Sequence, residues 1–95
     1  MKETIYLSID MKKELDLFSI NKEQSAKYTI NNIFSSNKED ILDFINTKNN
    51  EVRKILKNRE TTKTLDIEQK YIEYFLNENI NIRVAVIIAI YLFCK

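Results

Sequence analysis

Residues 4–9 of the chain alternate between polar and apolar side chains. The two interleaved sets are Ile5, Leu7 and Ile9, and Thr4, Tyr6 and Ser8. Because successive side chains of a strand point to opposite faces, residues 3–10 predict a β-strand with one apolar and one hydrogen-bonding face. We expect the three apolar residues to lie in the core.

This strand has no evident partner within the chain, because the remaining sequence has mostly helical patterning. A lone strand leaves its edge amides and carbonyls without hydrogen-bond partners. We therefore expect the same strand of a second copy to pair with it across a two-fold axis. The product would be a two-stranded antiparallel ribbon with a polar outer row.

Capping residues mark the helices that follow. Asp10 can cap a first helix through Met11–Ser19. Asn21, with Gln24 three residues later, predicts a second helix that ends near Phe34. The Ser36–Glu39 capping box predicts a third helix to about Asn58, weakened at residues 46–50 by Asn and Thr. Three further segments are expected, namely a polar connector at 59–64, a helix opened by Asp66 and Gln69, and a turn at 77–81.

The last apolar run, Ile82 to Cys94, has two interpretations. Its β-branched residues favour a buried strand. Its length and its lack of helix-breaking residues favour a buried helix, which is the prediction adopted here. Since the run is apolar on all sides, it needs cover all round, and this points to the core of a dimer.

The amino-acid composition limits the kinds of functional site that the chain can form. The 95 residues include no Gly, Pro, His or Trp and a single cysteine, Cys94. Without Gly there is no phosphate-cradling loop, and without His the commonest general base and metal ligand is missing. One cysteine excludes an internal disulfide, so Cys94 is expected to be a buried hydrophobe. We expect no enzyme, no catalytic or metal-binding residue, no cofactor, and a cytoplasmic protein without a membrane span.

The charges are unevenly distributed although the net charge is only +1. Residues 48–63 carry six basic and two acidic side chains, whereas residues 64–79 carry one basic and four acidic side chains. Such asymmetry can create a phosphate-facing patch without a high overall charge. The alternative is a solvated helix face.

Thr-Ile-Tyr-Leu-Ser-Ile-Asp at 4–10, followed by two capped helices, resembles the ribbon-helix-helix family of DNA-binding proteins, the Arc and MetJ type. The resemblance covers roughly residues 2–35. It implies a mostly α fold with one N-terminal β-strand, in which a ribbon-helix-helix-like dimer (1–35) precedes a helical dimerisation and partner-binding extension (36–95) within one compact domain. It also implies a homodimer or higher oligomer that binds specific double-stranded DNA sequences.

The same resemblance assigns roles to individual residues. The outward row would lie in the major groove, and the start of the second helix would bind a phosphate. Lysines would add attraction that is independent of sequence. The implied DNA-binding set is Lys2, Thr4, Tyr6, Ser8, Lys12, Lys22, Ser25 and Lys27. The arrangement looks like a plasmid partition adaptor or relaxosome accessory protein, which would act in segregation, transfer or repression with a filament-forming motor or another plasmid protein.

Three alternatives stay open. The polar row can be the solvated face of an ordinary edge strand. A small phage or plasmid protein of this composition can instead inhibit a host protein by direct binding. Finally, residues 48–63 can form the recognition helix of a helix-turn-helix protein, with Arg53, Lys54 and Lys57 as the DNA contacts.

Overall fold

The computed structural model describes all of residues 1–95 and is 65% helical, with five helices and two strands. The elements in chain order are β1 (Lys2–Leu7), α1 (Ile9–Asn21), α2 (Ala26–Thr47), α3 (Asn49–Ile55), β2 (Thr61–Asp66), α4 (Gln69–Leu76) and α5 (Ile82–Phe93). A mostly helical chain that opens with a strand is therefore confirmed. A ribbon-helix-helix arrangement is not.

The two strands form an antiparallel ribbon within one chain. Lys2 lies opposite Asp66, and Tyr6 lies opposite Thr62. The expectation that β1 has no partner within the chain is wrong, because residues 61–66 form a strand and not the polar connector expected there. Threonine is a good strand former, and β2 satisfies the backbone groups along one edge of β1.

Helix α5 is the centre of the core. The helix predicted for this segment is confirmed, and its residues 85–90 are all buried. The cover expected from a dimer comes from the same chain, since α1, α2, α4 and β1 all pack against α5. Phe34 of α2 and Phe75 of α4 are fully buried and lie 5.3 Å apart between ring centroids. Aromatic pairs at this separation stabilise a core beyond their buried area.

Helix α1 begins earlier than predicted, and its cap is Ser8 instead of Asp10. The Ser8 hydroxyl accepts a hydrogen bond from the Met11 amide at 3.1 Å. Met11 and Leu15 face the core, whereas Ile9 is 48% exposed. The expectation that Ile9 is a core residue is therefore wrong, because the chain has already turned from strand to helix at this position.

Helix α2 is a single helix of 22 residues. Its cap is Ser25, not Asn21, and the Ser36–Glu39 box opens no new helix. Buried apolar residues keep the helical period across that box, from Phe34 to Ile41, so packing outweighs the local capping signal. The boundary expected at 35/36 falls inside α2. The chain breaks at Lys48, within the stretch where a weakness was predicted.

Asn31 of α2 fastens the end of β2 to the start of α4. Its buried amide donates to the carbonyl oxygen of Asp66 at 3.0 Å and accepts from the amide of Glu68 at 2.9 Å. Asp66 therefore ends a strand and does not cap the helix. The turn predicted at 77–81 is confirmed, with Asn79 at φ 60°. No helix combines the length and apolar character needed to cross a bilayer.

Candidate nucleic-acid interface

The ribbon presents one face to the helices and the other to solvent. On the inner face, Ile5, Leu7 and Leu65 are buried. The outer face consists of six side chains from the two strands, here called the ribbon face: Lys2, Thr4, Tyr6, Thr62, Thr64 and Asp66. Tyr6 is 52% exposed. Four of the six side chains carry hydroxyl groups, so this face can both donate and accept hydrogen bonds.

Positive charge surrounds the Lys2 end of the ribbon face. The ammonium group of Met1 lies 2.7 Å from the Asp66 carboxylate, and the Lys27 ammonium lies 3.8 Å from it. The hydrogen bond and charge of the Met1 ammonium lower the pKa of Asp66, and Lys27 and Lys2 lower it further. Three cations therefore outnumber the one carboxylate at this end.

Two arginines flank the opposite end, beside Tyr6. Arg59, from the loop before β2, and Arg83, from the first turn of α5, line the same cavity as Tyr6. The Nε group of Arg59 donates to the carbonyl oxygen of Leu56 at 2.8 Å. Arg83 Nε lies 3.5 Å from a carboxylate oxygen of Glu3. Cationic side chains therefore flank both ends of the ribbon face, and at this end Glu3 and the exposed Glu60 are the neighbouring carboxylates.

The structure brings together part of the predicted DNA-binding set. Lys2, Thr4 and Tyr6 share the ribbon face, and Lys27 reaches its end through Asp66. The remaining predicted residues, which lie on or beside α1 and at the start of α2, are Ser8, Lys12, Lys22 and Ser25.

Most of these remaining residues already have local partners. Ser8 caps α1, and the Ser25 hydroxyl accepts from the Tyr28 amide at 3.1 Å, so both hydroxyls serve a helix start. The ammonium of Lys22 lies 5.4 Å from the centre of the Phe18 ring. Neither hydroxyl belongs to the ribbon face, because β1 ends at Leu7 and Ser8 is the N-cap of α1.

Sequence reasoning missed half of the ribbon face. Thr62 and Thr64 lie on β2, and their β-branched side chains were the available signal for a strand. The sequence places Arg59 in the basic stretch at 48–63 but does not predict its position beside Tyr6. Arg83 had no signal, because only the packing of α5 against β1 brings it close to Tyr6.

The alternative basic patch does not form a recognition helix. Helix α3 contains seven residues and ends at Ile55. Arg53 and Lys54 are exposed on α3, and Lys57 is exposed in the loop that follows. Residues 48–63 thus span a short helix, a loop and the start of β2, and the single recognition helix expected there is wrong.

A second exposed surface runs along the outer side of α1. Ile9, Leu17 and Ile20 are 48%, 60% and 68% exposed and share one side of the helix with Lys13. We call these four residues the α1 ridge. Apolar side chains clustered on one exposed side are typical of a protein contact.

The ribbon face and the α1 ridge are the features of this chain from which a function can be proposed. Neither a protein-family model, nor a curated protein, nor a solved structure matches the chain.

Proposed function

We propose that this protein binds double-stranded DNA by placing the ribbon face in the major groove. The observation that carries the proposal is a two-stranded ribbon with a polar, exposed outer face and cations at both ends. Tyr6, Thr62 and Thr64 are exposed, so their hydroxyl groups are accessible to base edges. The hydroxyl groups of Thr4 and Thr64 lie 3.4 Å apart and can bond to each other in the free protein.

The dimensions of the ribbon suit the major groove. Two paired strands lie about 4.8 Å apart, and the major groove of B-DNA, about 12 Å wide, admits a two-stranded ribbon. A strand of six residues extends roughly 17 Å, and a ribbon that lies along the groove places cations at both of its ends, where long Lys and Arg side chains can reach the rims. The cations at these ends then face phosphates. Duplex RNA is a poor fit, because its major groove is deep and narrow.

The ribbon face supports moderate sequence readout. Hydroxyl groups of Thr4, Thr62 and Thr64 can donate or accept, and threonine methyl groups can contact the methyl group of thymine. Tyr6 adds a hydroxyl and an aromatic ring. The strong arginine–guanine and asparagine–adenine pairs are absent from this face, so we expect phosphate contacts to supply much of the affinity.

Fluorescence anisotropy with labelled 20-base-pair duplexes tests this proposal. We expect affinity to fall with rising salt and Tyr6→Ala to weaken binding about tenfold, since the ring and its hydroxyl are lost from the ribbon face. Tyr28→Ala is the matched control, because Tyr28 is equally exposed at 57% but lies on α2. Equal losses in both variants, or equal affinity for duplex RNA, would contradict binding in the DNA major groove.

The α1 ridge favours a second copy of the chain as a further partner. In an antiparallel pairing of two α1 helices, Ile9 lies opposite the partner's Ile20. The ridge is thus complementary to itself in its apolar contacts. One helix pair buries far less than the roughly 1,200 Å² of a stable interface, so we expect pairing mainly on DNA.

Analytical ultracentrifugation of the protein with and without a duplex tests the pairing. We expect monomers in solution and two copies on one duplex, with Leu17→Asp reducing the second binding step. A single copy bound at saturation would exclude the pairing. Capture of a different protein by the ridge would instead favour the inhibitor alternative.

A further inference from the structure

A small cavity opens at the Tyr6 end of the ribbon face. Its volume is about 150 Å³. The lining residues are Tyr6, Arg59, Asn81, Arg83, Val84 and Ile87. The first four are exposed, while Ile87 is buried and Val84 is half-buried. The cavity thus has an apolar floor and a polar, cationic rim.

The structure positions both arginines through their Nε groups and leaves their outer nitrogens free. Arg59 Nε donates to the carbonyl oxygen of Leu56 at 2.8 Å, and Arg83 Nε lies 3.5 Å from Glu3. Neither arginine uses an Nη group in a hydrogen bond within the protein. A guanidinium group held in this way offers two parallel N–H donors, a geometry that matches two oxygens of a phosphate.

The balance of charge in the cavity favours an anion. Two guanidinium groups face one carboxylate, that of Glu3, whose side chain is only 15% exposed. Glu3 lies on the inner side of β1 and orients Arg83 from beneath. The oxygen of the Asn81 side chain already accepts from the Arg83 amide at 2.9 Å, whereas its Nδ2 group remains a neutral donor. The two arginines, the Tyr6 hydroxyl and the Asn81 Nδ2 group are therefore the donors that would contact a ligand.

We infer that this cavity binds a phosphate group, and that in the DNA complex this is one backbone phosphate at the rim of the major groove. The second part of the inference rests on the proposed function. Tyr6 belongs both to the cavity and to the ribbon face, so a phosphate held by Arg59 and Arg83 fixes the register of the ribbon on the duplex. Contacts to phosphate set orientation without reading sequence.

Duplex binding measured against salt tests the role of the cavity on DNA. We expect the double variant Arg59→Gln/Arg83→Gln to bind about tenfold more weakly on every sequence, with the salt slope reduced by about one. Arg53→Gln, an exposed arginine on α3 outside the cavity, is the matched control and should change affinity less than twofold. Arg83→Lys keeps the charge but loses the two-donor geometry, and should fall between the control and the double variant.

Titration with inorganic phosphate, followed by NMR of the arginine Nε–H signals, tests the cavity without DNA. We expect saturable shifts for Arg59 and Arg83 at millimolar phosphate. The Arg53→Gln protein should retain these shifts, while Arg83→Lys should weaken them. Saturable shifts without any duplex binding would support the phosphate site and contradict the proposed function.

A different result would contradict the phosphate site in the cavity but not DNA binding by the ribbon face. Duplex binding with an unchanged salt slope in the double variant would overturn the cavity as a phosphate site and leave the ribbon face standing. Thermal unfolding of each variant shows whether a loss of binding comes from a loss of fold. If the double variant unfolds, Arg83→Lys and Arg59→Gln decide the question as single changes.

Discussion

The two faces of the ribbon carry different tasks although their residues alternate in one strand. Ile5 and Leu65 are 0% and 3% exposed against the helices, whereas Tyr6 is 52% exposed. Burial of the inner side chains stabilises the fold, and the outer side chains contribute little to it. The comparison shows how a chain this small can leave one face of its ribbon exposed without loosening its core.

The largest expected effect is on the inner face. Ile5→Ala should lower the free energy of unfolding by about 2–5 kcal/mol, since it removes buried methyl and methylene groups and leaves a cavity. Urea denaturation measures this directly. A loss below about 1 kcal/mol would show that the inner face is not part of the core.

The next effect concerns the residue that fastens the ribbon. Asn31→Ala removes hydrogen bonds to the backbone of Lys27, Asp66 and Glu68. Because the freed groups lie in a part-buried region, we expect a loss of about 1–3 kcal/mol in urea denaturation. The neighbouring Asn32 is exposed, so Asn32→Ala is the matched control and should change little. Similar losses in both would exclude the fastening role.

A smaller effect depends on pH and involves Cys94. Burial, and then the charge of Glu14, raise the pKa of this thiol from 9.0 to about 11. The folded protein therefore holds the thiol proton more tightly than the unfolded chain. This contribution to stability is complete below pH 9 and is lost as pH rises toward 11.

Two measurements check this expectation. Between pH 8 and pH 11, the wild-type protein should lose more stability than Cys94→Ala. At pH 8, alkylation of the folded protein should be at least about 100-fold slower than that of the unfolded chain, because both the thiolate fraction and access are reduced. Rapid alkylation under native conditions would contradict the buried position of Cys94.

The smallest effect on stability is expected on the outer face. Thr64→Ala should stay within about 0.5 kcal/mol of wild type and still weaken duplex binding, because Thr64 is exposed on the ribbon face. Leu65→Ala, one residue further along the same strand, should instead mainly destabilise the fold, because Leu65 is buried. If the two variants are equally destabilised, the division of tasks between the faces is wrong.

The sequence was sufficient to predict β1 and α5, but not β2. Alternation identified β1, and length identified α5 as a helix. In β2 the inner positions are Thr61, Lys63 and Leu65, of which only Leu65 is buried, so no alternation of hydrophobicity exists to be detected. Lys63 occupies an inner position because its ammonium pairs with Asp16 of α1 at 3.0 Å, a contact that only the fold creates.

The residues of the candidate site also differ in whether the sequence alone predicts them. Lys2, Thr4 and Tyr6 follow from the pattern of one strand. Their companions on β2 required knowledge of which segment pairs with β1, and the placement of Arg83 required the packing of α5. The local sequence predicts that a side chain points outward. It does not predict which residue lies beside that side chain when the two are some eighty positions apart.

Pairing between β1 and β2 has a consequence for the order of events as the chain folds. Residues 2–7 are synthesised well before their partner at 61–66, which arrives only after α1, α2 and α3. Closing so long a loop is entropically costly and slow. The ribbon face therefore exists only once both strands have paired in the folded molecule.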